Sequence, residues 1–215
     1  MAHTPESRNG GTTLPIRTAD EAAADIGHHF EGIRTLGVAV HKDFLEKCRL
    51  IAPVLNSSTR ASIYRQIFVR MLHDYCDATA GAQLHRKNQL VLVGLANKYL
   101  LRVKKLRQGF SVGVSPTYAS EDYDANQLPG YAADLYPEAP EATLLYLGWS
   151  VPENAPTEIS LYLVCNDVNR EVLWVIPITA GDDGRGIQEP LPIVGDDSGV
   201  GIRVVAKPGE RKENG

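Results

Sequence analysis

The spacing of apolar residues along this chain changes once, and the change divides it into a helical first part and a β-rich second part. Before Gly81, apolar residues recur every three or four positions. Phe44, Cys48, Ile51 and Leu55 trace one face, widened by Leu45 and Ala52. Ile63, Ile67, Met71 and Tyr75 trace another, flanked by Tyr64, Phe68 and Leu72. After Gly81 the period drops to two or gives way to short apolar runs: "QLVLV" (89–93), "KYLLRVKKL" (98–106), "TLLYLGWSV" (143–151), "EISLYLVCN" (158–166) and "EVLWVIPI" (171–178).

Local signals place the ends of these elements. "TADE" is a capping box at Thr18 and Glu21. It opens a helix over about 19–34 that Gly27 and Gly32 weaken. A second helix is expected over about 38–55, with Pro53 disturbing its last turn. "NSST" supplies N-caps for a third, about 59–79, which Gly81 stops. "GLAN" is short enough to make a hairpin of the first two strands. "PENAPT" and "DVNR" are too short for helical crossovers, so the last three runs form a meander. Between hairpin and meander lies an excursion, 109–141, with a short helix near Thr117–Asn126. The expected fold class is α+β: N-terminal helices packed on an antiparallel sheet made of the hairpin plus a three-stranded meander. A single domain over 18–178 is expected, between a disordered N-terminus (1–17) and a mostly disordered C-terminal tail (179–215).

Charge is segregated. The formal net charge is −4 and the pI about 5.9, which gives no global pull towards nucleic acid or an anionic membrane. Yet Arg60–Arg107 carries ten Lys and Arg against two acids, Asp74 and Asp77, while Gln108–Asn169 carries nine acids and no Lys or Arg. The two blocks either pair within the fold or make a dipolar surface. Three cysteines without metal spacing, Cys48, Cys76 and Cys165, read as reduced, buried thiols of a cytoplasmic protein. The polar start "MAHTPESRNGGTTLP" has no apolar signal region, and no apolar run is long enough for a membrane span.

Catalytic constellations are sparse. A divalent-metal nuclease needs carboxylates on the basic hairpin, and there is no acid between Asp77 and Glu121. The histidines, His28, His29, His41, His73 and His85 among them, show no ligand spacing, so no metal or cofactor is expected. "GFSVG" (109–113) matches G-x-S-x-G, but a basic strand leads into it and no helix start follows, unlike a nucleophile elbow. Trp149 and Trp174 sit in meander strands, where packing against a helix competes with base stacking as their role. In "NKYLLRVKKLRQG" strand alternation puts Tyr99, Leu101 and Val103 on a core face and Lys98, Leu100, Arg102 and Lys104 on the other, with Lys105 and Arg107 near the exit.

"RVKKLRQG", "SPTY", Gln127-Leu128-Pro129, "LYLGWSV" and "REVLWVIPI" together resemble an uncharacterised family of small bacterial and prophage proteins. Its order is R-x-K-K, P-T, Q-L, G-aromatic and a terminal strand bearing Trp, and the resemblance covers about 58–178. The matching positions are Arg102, Lys104, Lys105, Thr117, Gln127, Trp149 and Trp174. The acid-rich stretch 119–141 departs from a simple polyanion groove. The resemblance implies a regulatory, toxin-antitoxin or phage-defence setting and a cytoplasmic protein partner.

The leading expectation is therefore a non-enzymatic regulatory or interaction protein of such a locus. It would contact its partner or nucleic acid through Lys98, Arg102, Lys104, Lys105, Arg107, Thr117 and Gln127, with no membrane involvement and with homo-oligomerisation open. The alternative is a small metal-independent ribonuclease or toxin using His73 or His85 with the basic cluster. A third reading is a scaffold that docks through the acidic excursion.

Overall fold

A computed structural model describes residues 16–87, 90–113, 117–127, 137, 141–152 and 155–178. The fold is α+β, as the change of period implies. Three helices, α1 (Ala19–Ile26), α2 (Phe30–Cys48) and α3 (Ser57–Ala78), precede a six-stranded sheet. Its strands are β1 (Ala82–Lys87), β2 (Leu90–Leu95), β3 (Tyr99–Lys105), β4 (Thr143–Ser150), β5 (Ser160–Asn166) and β6 (Val172–Pro177), in sequential order across the sheet. A short α4 (Tyr118–Asp124) lies between β3 and β4. No helix among the described residues is long and apolar enough to cross a membrane.

The capping box closes α1 as expected: the Thr18 amide donates to Glu21 Oε2 at 2.7 Å and the Glu21 amide to Thr18 Oγ1 at 3.2 Å. The helix boundaries differ from the sequence expectation. The chain breaks at a 3₁₀ turn over Gly27–His29, not between 34 and 38, and α2 ends at Cys48, leaving Ile51 and Leu55 outside it. Gly37 sits inside α2 because a Cβ there would overlap the Leu161 side chain; the missing side chain lets α2 approach β5. In α3 the row counted as a flank, Tyr64, Phe68 and Leu72, is the deepest, joined by Cys76, while Ile63, Met71 and Tyr75 are half-buried. The stretch 1–17 was expected to be disordered, yet Arg17 belongs to the fold: its backbone oxygen accepts from Trp174 Nε1 at 3.0 Å. The expected disorder of 1–15 and 179–215 lies outside the described residues.

The sheet corrects two further expectations. It has six strands, because "AQLHRK" pairs with β2 from Ala82–Leu95 to Lys87–Leu90, and it is not wholly antiparallel. β3 and β4 run parallel over seven pairs, Tyr99–Thr143 to Lys105–Trp149. Parallel neighbours require a crossover of a dozen residues or more. The excursion after β3 is that crossover, and its described residues Phe110, Val112 and Tyr123 pack on the sheet face opposite the helices. The β2–β3 hairpin is as expected: three residues separate the paired Leu95 and Tyr99, with Ala96 and Asn97 at positive φ, 53° and 51°, and the Lys98 amide donating to the Leu95 oxygen at 3.1 Å.

Two apolar clusters result. The larger lies between α1–α3 and the sheet and includes Phe44, Tyr64, Phe68, Tyr99, Leu101, Trp149 and Trp174. Both tryptophans are thus packing residues; Tyr64 stacks on Trp149 at 4.3 Å and on Phe44 at 4.2 Å. The smaller cluster, on the other face, includes Leu92, Leu100, Leu106, Tyr123, Tyr146, Val164 and Val175. The face holding Leu100 is therefore a second core, not an open basic surface. The three cysteines are free and buried, and burial pushes the Cys76 thiol up to about 11 and Cys165 up to about 12.

Two histidines are also buried in the helical layer. His41 Nε2 lies 3.2 Å from the Pro156 carbonyl, which only accepts, so Nε2 carries the proton and Nδ1 accepts from Tyr64 OH at 2.6 Å. His29 Nδ1 lies 2.8 Å from Tyr75 OH. Burial lowers the pKa of both rings.

Two predictions follow from this packing. The unfolded chain binds protons on His29 and His41 before the folded one does, so stability is fully present above the ordinary histidine pKa of about 6.5 and is lost as pH falls below it. The urea midpoint should drop between about pH 7.5 and 5.5, and His41→Asn should flatten the slope; an unchanged slope would clear His41 of this role. Gly37→Ala overpacks the α2–β5 contact and should cost about 1–3 kcal/mol in chemical denaturation.

Candidate functional site

The site arises where two strands part. β2 pairs with β3 only from Leu95–Tyr99 to Val93–Leu101, whereas β3 continues beside β4 as far as Lys105. Beyond Leu101 the free flank of β3 faces the start of α3. Between them is an open cleft of about 720 Å³. One wall is α3, with Ser57, Ser58, Ser62 and Arg65; the other is the end of β3, with Lys104, Lys105 and Arg107, closed below by Val103, Leu106 and Trp149.

Each wall is fixed locally. Asn56 caps α3 by accepting from the Thr59 amide at 2.8 Å, so the helix starts with Ser57 at the cleft. The first amides of a helix lack intrahelical acceptors, and its dipole is positive at that end. Lys105 Nζ donates to Ser57 Oγ at 2.9 Å, tying the walls together. Lys104 Nζ donates to the Gly113 carbonyl at 3.0 Å, and the Arg107 guanidinium lies over Gly113. The turn after β3 bends back to make these contacts, through a Leu106–Val112 bridge and an Arg107 amide to Ser111 oxygen bond of 2.8 Å.

The electrostatics are one-sided. Lys104 is half-buried, and burial first, then Arg102 and Arg65, push its pKa down to about 8, with Asp124 partly opposing. Arg65 is lowered in the same way, by burial and then by Arg102 and Arg86. Among the described residues, none of Arg102, Lys104, Lys105 and Arg107 has a carboxylate within ion-pair distance. Such an arrangement is chemically suited to an anion. The Ser57–Lys105 contact joins a hydroxyl to an amine, but both residues are exposed and the amine is the donor, which suits holding an anion better than activating a nucleophile.

The structure distributes the sequence candidates unequally. Lys104, Lys105 and Arg107 meet in the cleft. Arg102 stands beside it, half-buried, with its guanidinium 5.7 Å from the centre of the Tyr123 ring. Lys98 is at the far end of β3, held by Asp25 of α1 at 2.6 Å. That carboxylate also accepts from Tyr99 OH at 2.9 Å. Thr117 caps α4, and the Gln127 amide donates to the Asp122 oxygen at 2.8 Å behind it; both serve the ends of that helix. His73 pairs with Asp77 at 3.1 Å on the exposed side of α3, and His85 lies on β1; neither lines the cleft. Ser111 of "GFSVG" donates to the Gln108 oxygen at 3.0 Å. Arg65, Ser57, Ser58 and Ser62 were missed by sequence reasoning. The available signal was that α3 carries Arg60, Arg65 and Arg70 and no acid before Asp74.

Asp124 and Glu121 of α4 have their hydrogen-bond and ion-pair partners away from the basic strand. Asp124, buried on α4, accepts from Tyr146 OH at 2.9 Å and Asn166 Nδ2 at 2.8 Å. Glu121 pairs with Arg170 at 3.4 Å.

If the cleft geometry is right, the Lys104 amine should titrate near 8 when followed by its side-chain carbon resonances, against about 10.4 for an ordinary lysine. Arg65→Gln removes a neighbouring positive charge and should move that midpoint up; titration at the ordinary value would mean that the amine is not recessed. Comparison of the chain with protein-family models, with curated proteins and with solved structures gives no match.

Proposed function

We propose that this is a non-enzymatic binding protein that holds the phosphates of a nucleic acid in the cleft between α3 and β3. The observation that supports it is the convergence of Arg65, Lys104, Lys105 and Arg107 on one cleft that also takes the start of a 22-residue helix. Phosphate oxygens match this set: they accept from ammonium, guanidinium, hydroxyl and helix-terminal amide groups alike. In the setting implied by the family resemblance, such a protein acts as a regulator or interaction module of a mobile-element, toxin-antitoxin or defence locus. The ribonuclease reading has less support, since no histidine is among the cleft's described lining residues.

The test is the salt dependence of binding to a labelled oligonucleotide. Affinity should fall steeply between about 50 and 200 mM salt, and the Lys105→Ala, Arg107→Ala double variant should reduce the slope by roughly two counterions. Both side chains are exposed, so the fold should tolerate the change. Lys98→Ala should leave the slope unaltered, because Asp25 already holds that amine. Absence of binding at low salt, or a double variant with the parent slope, would overturn the proposal. RNA cleavage that is lost in His85→Ala would restore the ribonuclease alternative.

A further inference from the structure

We infer that the cleft takes a single strand by its sugar-phosphate backbone and leaves the bases unread, an inference that rests on the nucleic-acid reading above. The first argument is shape. Arg65 and Lys104 are half-buried, one on each wall of the cleft, instead of standing on a protruding element. Proteins that read duplex DNA commonly insert a helix or ribbon into a groove about 12 Å wide. Here the helix presents its first turn as a wall beside Lys104, a placement less suited to a rigid duplex than to a chain that bends. A flexible single strand can bend into the recess.

Size agrees with shape. A cleft of about 720 Å³ is in the range of pockets for discrete ligands, about 300–1,000 Å³. Duplex recognition usually buries about 1,000–2,500 Å² of protein surface, which calls for a broad face.

The lining chemistry argues for indifference to sequence. Adenine edges are read by Asn or Gln and cytosine edges by Asp or Glu, whereas Arg, Lys and Ser also serve phosphates. Among its described lining residues the cleft offers polar side chains of only two kinds, cationic groups and the hydroxyls of Ser57, Ser58 and Ser62. Single-strand binders often add exposed aromatic rings on which bases stack. Trp149 is the aromatic residue in the lining, and it is 3% exposed with its ring stacked on Tyr64, so its face is already occupied. A bound strand would therefore point its bases to solvent.

The experiment uses the full chain and fluorescence anisotropy with end-labelled oligonucleotides of about twelve nucleotides, within the usual site size of single-strand binders. Oligo(dT), oligo(dA) and oligo(dC) should bind within about threefold of one another, and a duplex of equal length about tenfold more weakly, a difference of about 1.4 kcal/mol. On titration with oligo(dT), the backbone amide resonances of Ser57, Ser58 and Gly113 should shift first. Duplex binding as tight as single-strand binding, a homopolymer preference above about tenfold, or shifts that leave α3 untouched would each overturn the inference while the nucleic-acid reading survives. Binding of neither form would remove that reading and the inference with it.

Discussion

The parallel pairing of β3 with β4 is the constraint from which the second half of the fold follows. Two parallel neighbours cannot be joined by a turn, so the chain must leave the sheet after Lys105 and return at Thr143. On the way it lays α4 across the face opposite the helices. Tyr123 then fastens the crossover to the strands it connects: its hydroxyl lies 2.8 Å from the Leu100 carbonyl of β3 and 2.8 Å from the Leu145 carbonyl of β4. Asn126 repeats the device, accepting from the Leu144 amide at 2.9 Å and donating to the Asn166 oxygen at 2.9 Å. Buried polar groups of this kind are costly when unpaired and specific when paired, so they fix where α4 docks on the sheet.

The same pairing decides the fate of each positive charge in 98–107. Lys98, at the start of β3, is beside α1 and is neutralised by Asp25. Arg102, in the middle, lies against the crossover and its Tyr123 ring. Lys104 and Lys105, past the point where β2 departs, lack a covering strand on that flank and meet the start of α3 instead. A single basic run is thus split into a structural ion pair, a packed guanidinium and a cationic cluster at the cleft. Lys104 is held close to the like charge of Arg102, and among the described residues neither has a carboxylate within ion-pair distance, an arrangement that opposes folding.

What could be read from the sequence follows from which interactions are local. The capping box at Thr18, the N-cap at Asn56, the turn at Ala96–Asn97 and the change of period are short-range signals, and the structure contains all four. β1 was missed because "AQLHRK" has two polar residues and two cations among six, and its pairing partner, not its composition, makes it a strand. Leu100 looked like a member of a basic face because its strand neighbours on that side are Lys98, Arg102 and Lys104; its burial depends on a crossover that no local pattern announces. Of the two glycines read as weakening the first helix, Gly27 is where the chain breaks, whereas Gly32 lies within α2 and makes room for Tyr75. The strand half of the cleft was legible as Lys104, Lys105 and Arg107. The helix half was not, since only the tertiary fold brings Arg65 within reach of them.

The placement of the cleft also links ligand to stability. Lys104 is recessed and is surrounded by other cations, so the folded state holds a repulsion that the unfolded chain, with its charges dispersed, does not. An anion bound there would offset this repulsion and raise the pKa of the amine, because a nearby negative group favours the charged form of a lysine. Ligand affinity and fold stability are then coupled, as for any molecule that binds the native state alone. The elements stabilised most directly would be the first turn of α3 and the end of β3, which Lys105 and Ser57 already join. The departure of β2 that opens the cleft removes strand pairing from β3, and an occupant bridging the two walls would supply the missing cross-link.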